Sequence, residues 1–518
     1  MATMQHCEQM CAPAFSFRSA SRSASVLFIR QQRLVCTSLQ LPSSRECAAA
    51  CRFASFLSTI EHKFQGPGIM RMECVFGGAP EVTSRRLNVM CQASSDFRGP
   101  QPSELMLVSD LDFTMVDHNE PSHAALLRFS SLWEAEYAQK SLLVYSTGRS
   151  PEKFEEICKH VPLLTPDIAI LSVGTEIRYG TSLQIDSEWE TYLNDGWDRE
   201  IIVQEAKKFL ELSFQEDSEQ RPHKVSFKVE KKDAQSIIDR LSPKLKEYGL
   251  KVKLIYSGSI DLDVVPLRAG KGEALAYILE KAKAEKWAPN NVLVCGDSGN
   301  DIELFAVEGV NGVIVENAHE ELVKWYESQP VKTNICFASH RCAGGIIQAL
   351  QHFGLGPHTS PRESIGQGGI SWPNAGDSQI PNTNSPQREV VEFNVLFEKW
   401  LTGELPTTAA TFERLKQVIA KKSSMVYPWG VERNLYDSVC LAQSKHGSMS
   451  GKNFLTWIDC IKEHQLAEGV YIVTWQSWEQ SSGNGRKGYY VTAILLAKEG
   501  TPNGVEWFRV HETVRMID

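Results

Sequence analysis

Short apolar runs alternate with amphipathic stretches through the middle of this 518-residue chain, and that alternation constrains the fold more than any other feature. The clearest run is Leu105-Met-Leu-Val-Ser-Asp-Leu-Asp-Phe-Thr114. It ends in two aspartates one residue apart, Asp110 and Asp112, followed by Thr114. Apolar residues this dense, opening an α/β alternation, predict a strand buried in a parallel sheet. Ligands of such sheets sit beyond the carboxyl ends of the strands, so the two carboxylates are expected at a site. In an extended chain residues 110 and 112 point to one side and Phe113 to the other, where it packs inward.

The alternation continues downstream. Residues 121–139 carry Ala125, Leu126, Phe129, Leu132, Trp133 and Tyr137 at helical spacing. Ser141-Leu-Leu-Val-Tyr145 reads as a second strand, ending in Ser146-Thr147-Gly148-Arg149-Ser150, with Pro151 placed to start a helix. A hydroxyl and exposed backbone N–H groups at such a turn make an anion-binding corner. Ile168-Ala-Ile-Leu171 is a third strand and leads to Val173-Gly-Thr-Glu176. Residues of about 180–265 break the pattern and read as an inserted α+β cap. Its helices are expected over Glu188–Leu193, Glu200–Leu212 and 232–248, and its strands over 224–229, 252–256 and 260–265. Gly270-Lys271-Gly272 opens a long helix, and Asn291-Val-Leu-Val-Cys295 runs into Gly296-Asp297-Ser298-Gly299-Asn300-Asp301. Val310–Val315 is a further strand and Cys342–Leu350 the closing helix. Residues of about 354–388 are rich in Gly, Pro, Ser and Asn and read as a linker. Beyond it an amphipathic helix with Val391, Val395, Trp400 and Leu401 precedes aromatic, β-rich stretches at 470–478, 488–497 and 505–513.

Asp110/Asp112, Thr147, Lys271 and Asp297/Asp301 therefore recur, in order, at strand ends or helix starts, and can converge on one crevice. Together they have the chemistry of phosphoryl transfer. One carboxylate attacks phosphorus, and a second protonates the leaving oxygen and then activates water. Mg²⁺ takes hard oxygen ligands, which a carboxylate from another loop completes. Thr147 and Lys271 hold the phosphate oxygens and offset the charge that spreads in the transition state.

Asp-Leu-Asp-x-Thr, Ser-Thr-Gly-Arg, a lone Lys before a helix and Gly-Asp-Ser-Gly-Asn-Asp together resemble the haloacid dehalogenase superfamily of phosphatases. Within it the chain resembles the sucrose-phosphate phosphatases of plants. Met115-Val-Asp-His118, Leu163-Leu-Thr-Pro-Asp-Ile168, Ser172–Ile177, Glu219-Gln-Arg-Pro-His-Lys-Val-Ser-Phe227 and Arg341–Ile347 carry that likeness. The resemblance implies an α/β, haloacid dehalogenase-like Rossmannoid parallel sheet with an α+β cap at about 180–265, in a phosphatase domain over 103–357. A linker over 358–388 and a C-terminal α+β domain of nuclear-transport-factor-2-like fold over 389–518 would follow. It also implies hydrolysis of sucrose 6-phosphate with Mg²⁺ through an aspartyl-phosphate. Asp110 is then the nucleophile and Asp112 the acid/base, its backbone carbonyl also a metal ligand. Thr147 and Lys271 are the phosphate clamps, and Asp110, Asp112 and Asp297 the metal ligands, supported by Asn300 and Asp301. Gly148, Gly174, Glu176, Lys224 and Ser226 are substrate-binding positions. A phosphatase of another sugar phosphate and a catalytically silent partner of sucrose-phosphate synthase are the rival readings. A complex with that synthase and a homodimer through the C-terminal domain are the protein partners the resemblance suggests.

The formal net charge of −9, with no long basic run, argues against broad nucleic-acid binding. No apolar segment approaches the ~20 residues that span a bilayer, so the chain reads as soluble and no membrane is expected. The cysteines show no Cys-x-x-Cys spacing, which disfavours a zinc site and suits free thiols in a reducing compartment. Residues 12–60 are rich in Ser, Ala and Arg and nearly free of acids, the composition of an organelle transit peptide. Val89-Met-Cys-Gln-Ala93 resembles a plastid processing site. The first hundred residues thus suggest the chloroplast, whereas the family resemblance suggests the cytoplasm.

Overall fold

The computed structural model describes residues 103–257, 260–330, 332–365, 384–407, 409–483 and 485–516. It also describes the backbone of an antiparallel pair, Ile60–Phe64 with Met70–Cys74, in a separate unit spanning Pro13–Phe97. Apart from that pair, the residues read as a transit peptide lie outside the described ones, as does most of the linker.

Eight strands form the central sheet. They are β1 (Leu105–Ser109), β2 (Ser141–Ser146), β3 (Ile168–Leu171), β4 (Glu176–Tyr179), β5 (Gln184–Ile185), β10 (Asn291–Gly296), β11 (Asn311–Ile314) and β12 (Ile335–Phe337). Their order is β12-β11-β10-β1-β2-β3-β4-β5. The first six in that order run parallel, while β4 and β5 are antiparallel additions at one edge, so the sheet is mixed at that end. β1 is buried along its whole length because sheet neighbours flank it and helices cover it. Alternate residues Leu105, Leu107, Leu143, Tyr145, Ala169, Leu171, Leu293 and Cys295 join one core. Helices α1 (Ala124–Glu136), α2 (Pro151–His160) and α9 (Cys342–His352) supply its other side. α2 starts as the sequence predicts: Pro151 stands in the first turn and the Ser150 side chain accepts from Lys153 N at 3.3 Å.

A separate antiparallel sheet of order β8-β9-β7-β6 forms the cap, from β6 (Ser213–Phe214), β7 (Val225–Lys228), β8 (Val252–Ser257) and β9 (Asp261–Pro266). Helices α4 (Arg199–Ala206) and α5 (Lys231–Glu247) pack on it through Ile202, Ala206, Ile237, Leu241 and Leu245. α4 ends six residues short of the expected Leu212, because Phe209 and Leu212 leave the helix to pack against the same cluster. Helix α3 (Ser187–Leu193) instead stays with the central sheet: Trp189 donates to the Gly174 carbonyl and packs on Tyr277. The chain returns from β9 through Leu267–Gly270 into α6 (Lys271–Glu285).

The C-terminal region curls a six-stranded sheet around helix α11 (Pro386–Thr402). Its order is β14-β13-β18-β17-β16-β15, from β13 (Ile419–Val426), β14 (Glu432–Asn434), β15 (Leu455–Ala467), β16 (Val470–Ser481), β17 (Gly485–Ala497) and β18 (Val505–Arg515). The amphipathic reading of α11 underestimates its burial. Nearly all of it is covered, since it lies between β15 and α1. Its acidic residues are therefore paired: Glu389 takes both terminal nitrogens of Arg414 at 3.0 and 2.7 Å, and Glu398 those of Arg362 at 2.8 and 2.9 Å. A buried ion pair needs such two-point geometry to offset its desolvation. β15 went unread in the sequence because its register shifts between Asp459 and Lys462, and a bulge destroys the period of two.

Candidate active site

β1 and β10 lie side by side in the sheet, and both deliver acidic loops at their carboxyl ends. Asp110 follows β1 and is 6% exposed. Asp297 and Asp301 follow β10 and are also buried. Lys271, the first residue of α6, reaches between them: its Nζ donates to Asp110 Oδ1 at 2.8 Å and to Asp301 Oδ1 at 2.7 Å. Thr114 donates to Asp297 Oδ1 at 2.9 Å. The other Asp301 oxygen accepts from the backbone N–H groups of Asp297 and Ser298 at 3.1 and 3.0 Å, so this residue also shapes its own loop.

The chain is not extended past Ser109. Phe113 has φ 59°, and Val116 hydrogen-bonds back to Leu111, so the loop curls immediately. The strand therefore does not continue through Asp112 as expected, and the carboxylates of Asp110 and Asp112 have different partners. Arg149 donates to both oxygens of Asp112, Nε to Oδ2 at 2.7 Å and Nη2 to Oδ1 at 2.6 Å. His118 Nε2 lies 2.6 Å from Oδ1. Phe113 is half-buried, edge-on to His118, and its carbonyl accepts from Asn317 Nδ2 at 2.7 Å. It is not the inward-packed residue the alternation predicts.

Electrostatics separate the two aspartates further. Burial raises the Asp110 carboxyl well above its usual range; Lys271 opposes this, while Asp301 and Asp297 add to it. Burial and Asp301 likewise push Asp297 up to about 7, against the Thr114 hydrogen bond. At Asp112 burial also disfavours the charge, but hydrogen bonds from Arg149 and His118 outweigh it and hold the carboxyl well below the usual range. Burial disfavours a charged Lys271, yet Asp110 and Asp301 overcome it and keep the ammonium protonated.

The remaining positions divide into two groups. Thr147 is buried beside Gly148, and its hydroxyl accepts from Arg149 N at 3.2 Å. Gly148 offers its carbonyl to Lys224 Nζ at 3.2 Å, a contact between core and cap. Lys224, 2% exposed, also donates to Glu219 at 2.6 Å, and Ser226 donates to Asp263 on the neighbouring cap strand. Glu176 accepts from Arg221 Nε at 2.6 Å and from Arg178 at 2.9 Å. Gly174 has φ 79°, and an added Cβ would stand 2.9 Å from Gly270 Cα and closer still to its carbonyl. Its backbone therefore abuts the residue before Lys271, a close approach that requires glycine. Asn300 Oδ1 accepts from Ser298 Oγ at 3.0 Å.

Sequence reasoning assigned no role to Thr114, His118, Arg149, Glu219, Arg221 or Asp263. A signal was present for all but Asp263: Thr114 closes the Asp-x-Asp-x-Thr run, Arg149 sits inside the Ser146–Ser150 turn, and His118, Glu219 and Arg221 lie in segments that carry the family likeness.

Ligand oxygens of Asp110, Asp297 and Asp301 all lie within 4.8 Å of one another in a buried cluster. Three carboxylates face one ammonium there, and burial and mutual repulsion raise two of the carboxyls. This surplus of hard oxygen donors fits a divalent cation such as Mg²⁺. The cluster includes Asp301, expected only as a support, while the Asp112 carboxylate is engaged elsewhere.

Comparison with known proteins identifies the family. Residues 103–354 match the model of sucrose-6F-phosphate phosphohydrolase, and residues 386–516 that of sucrose-6-phosphate phosphohydrolase C-terminal. Sucrose-phosphatase 1 of Nicotiana tabacum is 47% identical over 413 residues, covering 79% of this chain and 95% of the tobacco protein. Probable sucrose-phosphatase 2 of Arabidopsis thaliana is 47% identical over 413 residues, covering 80% and 95%. The solved sucrose-phosphatase of Synechocystis, in complex with sucrose and phosphate, is 36% identical with a TM-score of 0.44, covering 49% of this chain and 98% of its own. The chain belongs to the sucrose-phosphatase family and is a phosphoric monoester hydrolase.

Proposed function

We propose that this chain hydrolyses sucrose 6-phosphate, phosphorylated on the fructose moiety, to sucrose and phosphate. The observation that carries the reading is the buried Asp110–Lys271–Asp301 contact beyond the ends of β1 and β10. Asp110 attacks phosphorus, the bond to the sugar oxygen breaks, and an aspartyl-phosphate forms. Asp112 gives a proton to the departing oxygen, then takes one from the water that cleaves the acyl phosphate. Arg149 and His118 hold Asp112 as a carboxylate before substrate arrives. An incoming phosphate competes for Arg149 and repels that carboxylate, so Asp112 gains proton affinity where an acid is needed. Lys271 and Thr147 hold the phosphate oxygens as charge redistributes. Asp110, Asp297 and Asp301 would hold Mg²⁺, with Asn300 supporting their loop and the Asp112 backbone carbonyl as a further ligand. When bound, the cation neutralises phosphate charge and polarises the phosphorus.

The cap supplies the sugar side. Lys224 stands just before β7 and Ser226 lies on it, with Glu176 across the core–cap seam and Gly148 and Gly174 as backbone positions. A sugar presents many hydroxyls, which charged and amide groups in a closed crevice can meet. Release of phosphate from a panel of sugar phosphates, with Mg²⁺ and with a chelator, tests the reading. We expect preference for sucrose 6-phosphate and loss of turnover without the cation. Preference for another sugar phosphate would overturn the substrate, and no hydrolysis at all would favour the silent synthase partner.

The same proposal includes the phosphatase, linker and C-terminal domain boundaries, a homodimer through the C-terminal domain and docking to sucrose-phosphate synthase. Mass in solution and co-purification check the last two. Among the described residues no helix is long and apolar enough to cross a membrane. Import into the chloroplast is checked by the N-terminus of the mature protein.

A further inference from the structure

We infer that an ion pair across the core–cap seam, Lys253 with Glu303, positions the phosphate-clamping Lys271, so that cap placement and phosphate grip are set together; this rests on the reading of Lys271 above. The pair joins β8 of the cap to α7 (Ile302–Phe305), which begins directly after Asp301. Lys253 lies opposite Val265 on β9, the strand that leaves the cap. Four residues, Leu267–Gly270, separate the end of that strand at Pro266 from Lys271. The path by which the cap returns to the core thus ends on the side chain that touches Asp110 and Asp301.

The packing around this connection is tight. An added Cβ at Gly270 would overlap the Glu303 carboxylate and stand 2.7 Å from Lys253 Nζ, so the ion pair lies directly over the residue before Lys271. Gly270 also has φ 138°, a conformation that favours glycine. An added Cβ at Gly272 would stand 2.8 Å from Glu303 Cβ and closer to the Glu303 carbonyl. The Gly174 position also abuts the Gly270 backbone. Lys271 is therefore seated between two glycines that rest on Glu303, and a third, Gly174, packs against the first of them. A shift of Glu303 has no slack through which to pass without moving Lys271.

Neither Lys253 nor Glu303 hydrogen-bonds to Asp110, Asp112, Asp297 or Asp301, so both act through Lys271 as positioning residues. Their side chains are 20% and 38% exposed. Partly exposed pairs contribute little to global stability, so the pair should register in turnover rather than in melting temperature. A small misplacement of a clamping group can cost a large factor in rate.

The test uses the full chain and two substrates, sucrose 6-phosphate and p-nitrophenyl phosphate; the second offers no sugar for the cap to hold. The variants are Lys253→Met, Glu303→Gln, the double variant, and the charge exchange Lys253→Glu with Glu303→Lys. Thermal unfolding of each confirms a folded chain; Lys253→Met, which alters only the cap side, carries the test alone should the Glu303 variants not fold. Each single variant is expected to lower kcat about tenfold on both substrates, with the double variant no worse than the lower single. The charge exchange is expected to recover kcat to within about threefold of wild type. Unchanged kcat, losses that multiply in the double variant, an exchange that recovers nothing, or a rise in KM for the sugar substrate alone would each overturn the inference. Failure of the wild type on sucrose 6-phosphate would instead count against the substrate, leaving the pair to be judged on p-nitrophenyl phosphate.

Discussion

Thr165, in the loop before β3, donates both its backbone N–H at 2.9 Å and its hydroxyl at 2.7 Å to the carboxylate of Asp459 in the C-terminal sheet. The connection is reciprocal: Glu134 of α1 accepts from the backbone N–H of Ile461, two residues beyond Asp459, at 2.9 Å. Each part thus satisfies a backbone N–H of the other with a buried carboxylate. Asp459→Ala would leave the Thr165 donors buried without an acceptor. We expect a loss of about 1–3 kcal/mol of stability, typical for a buried unsatisfied group. Thermal unfolding measures it, and an unchanged midpoint would contradict the clamp.

Asp167 makes stability depend on pH. It accepts from Leu143 N at 2.8 Å, but burial outweighs that bond and pushes its carboxyl up to about 6. The folded state therefore holds a proton that the unfolded chain releases near pH 4. Stability from this group is fully present below about pH 4 and is lost as pH rises through about 6. Asp167→Asn keeps the acceptor and removes the titration, so the fall in stability across that window should flatten. Identical pH dependence in variant and wild type would refute the assignment.

Arg149 fixes Asp112 through two parallel hydrogen bonds. Arg149→Met removes both and leaves His118 as the remaining partner described for that carboxylate. The expected result is a fall in kcat of about 10–100-fold with a fold of near-normal stability. Steady-state kinetics on sucrose 6-phosphate decides it, and a kcat within twofold of wild type would remove Arg149 from the account.

Lys224 separates substrate binding from phosphate chemistry. It lies in the cap, bonded to Glu219 and to the Gly148 carbonyl, and has no contact with Asp110 or Lys271. Lys224→Met should raise KM for sucrose 6-phosphate by about tenfold or more while sparing p-nitrophenyl phosphate. Equal losses on both substrates would show that Lys224 supports the catalytic loops instead.

Much of this was legible from residue order. The apolar runs at 105–109, 141–146, 168–171 and 291–296 are strands of one sheet, because buried parallel strands leave a continuous apolar signature. Asp110, Lys271 and Asp301 meet as that topology requires. What failed depended on local backbone or on distant partners. The strand stops at Ser109 and the loop carries a left-handed residue at Phe113, which no period predicts. The bulge after Asp459 hid β15. The close approach of Gly174 to Gly270, nearly a hundred positions away, left no trace in the sequence. Arg149 stood in a motif already singled out, yet its partner Asp112 becomes visible only when the loops are folded.

The central claim is that Asp110 is the nucleophile of a sucrose 6-phosphate phosphatase. Asp110→Asn keeps the shape and removes the attacking carboxylate. Because burial disfavours that charge, the variant should be at least as stable as wild type. Phosphate release from sucrose 6-phosphate with Mg²⁺, compared between wild type and Asp110→Asn, is the most direct measurement. Rapid release by the wild type and a loss of at least about a thousandfold in a folded variant is the result predicted. Turnover by Asp110→Asn at a comparable rate would contradict the account.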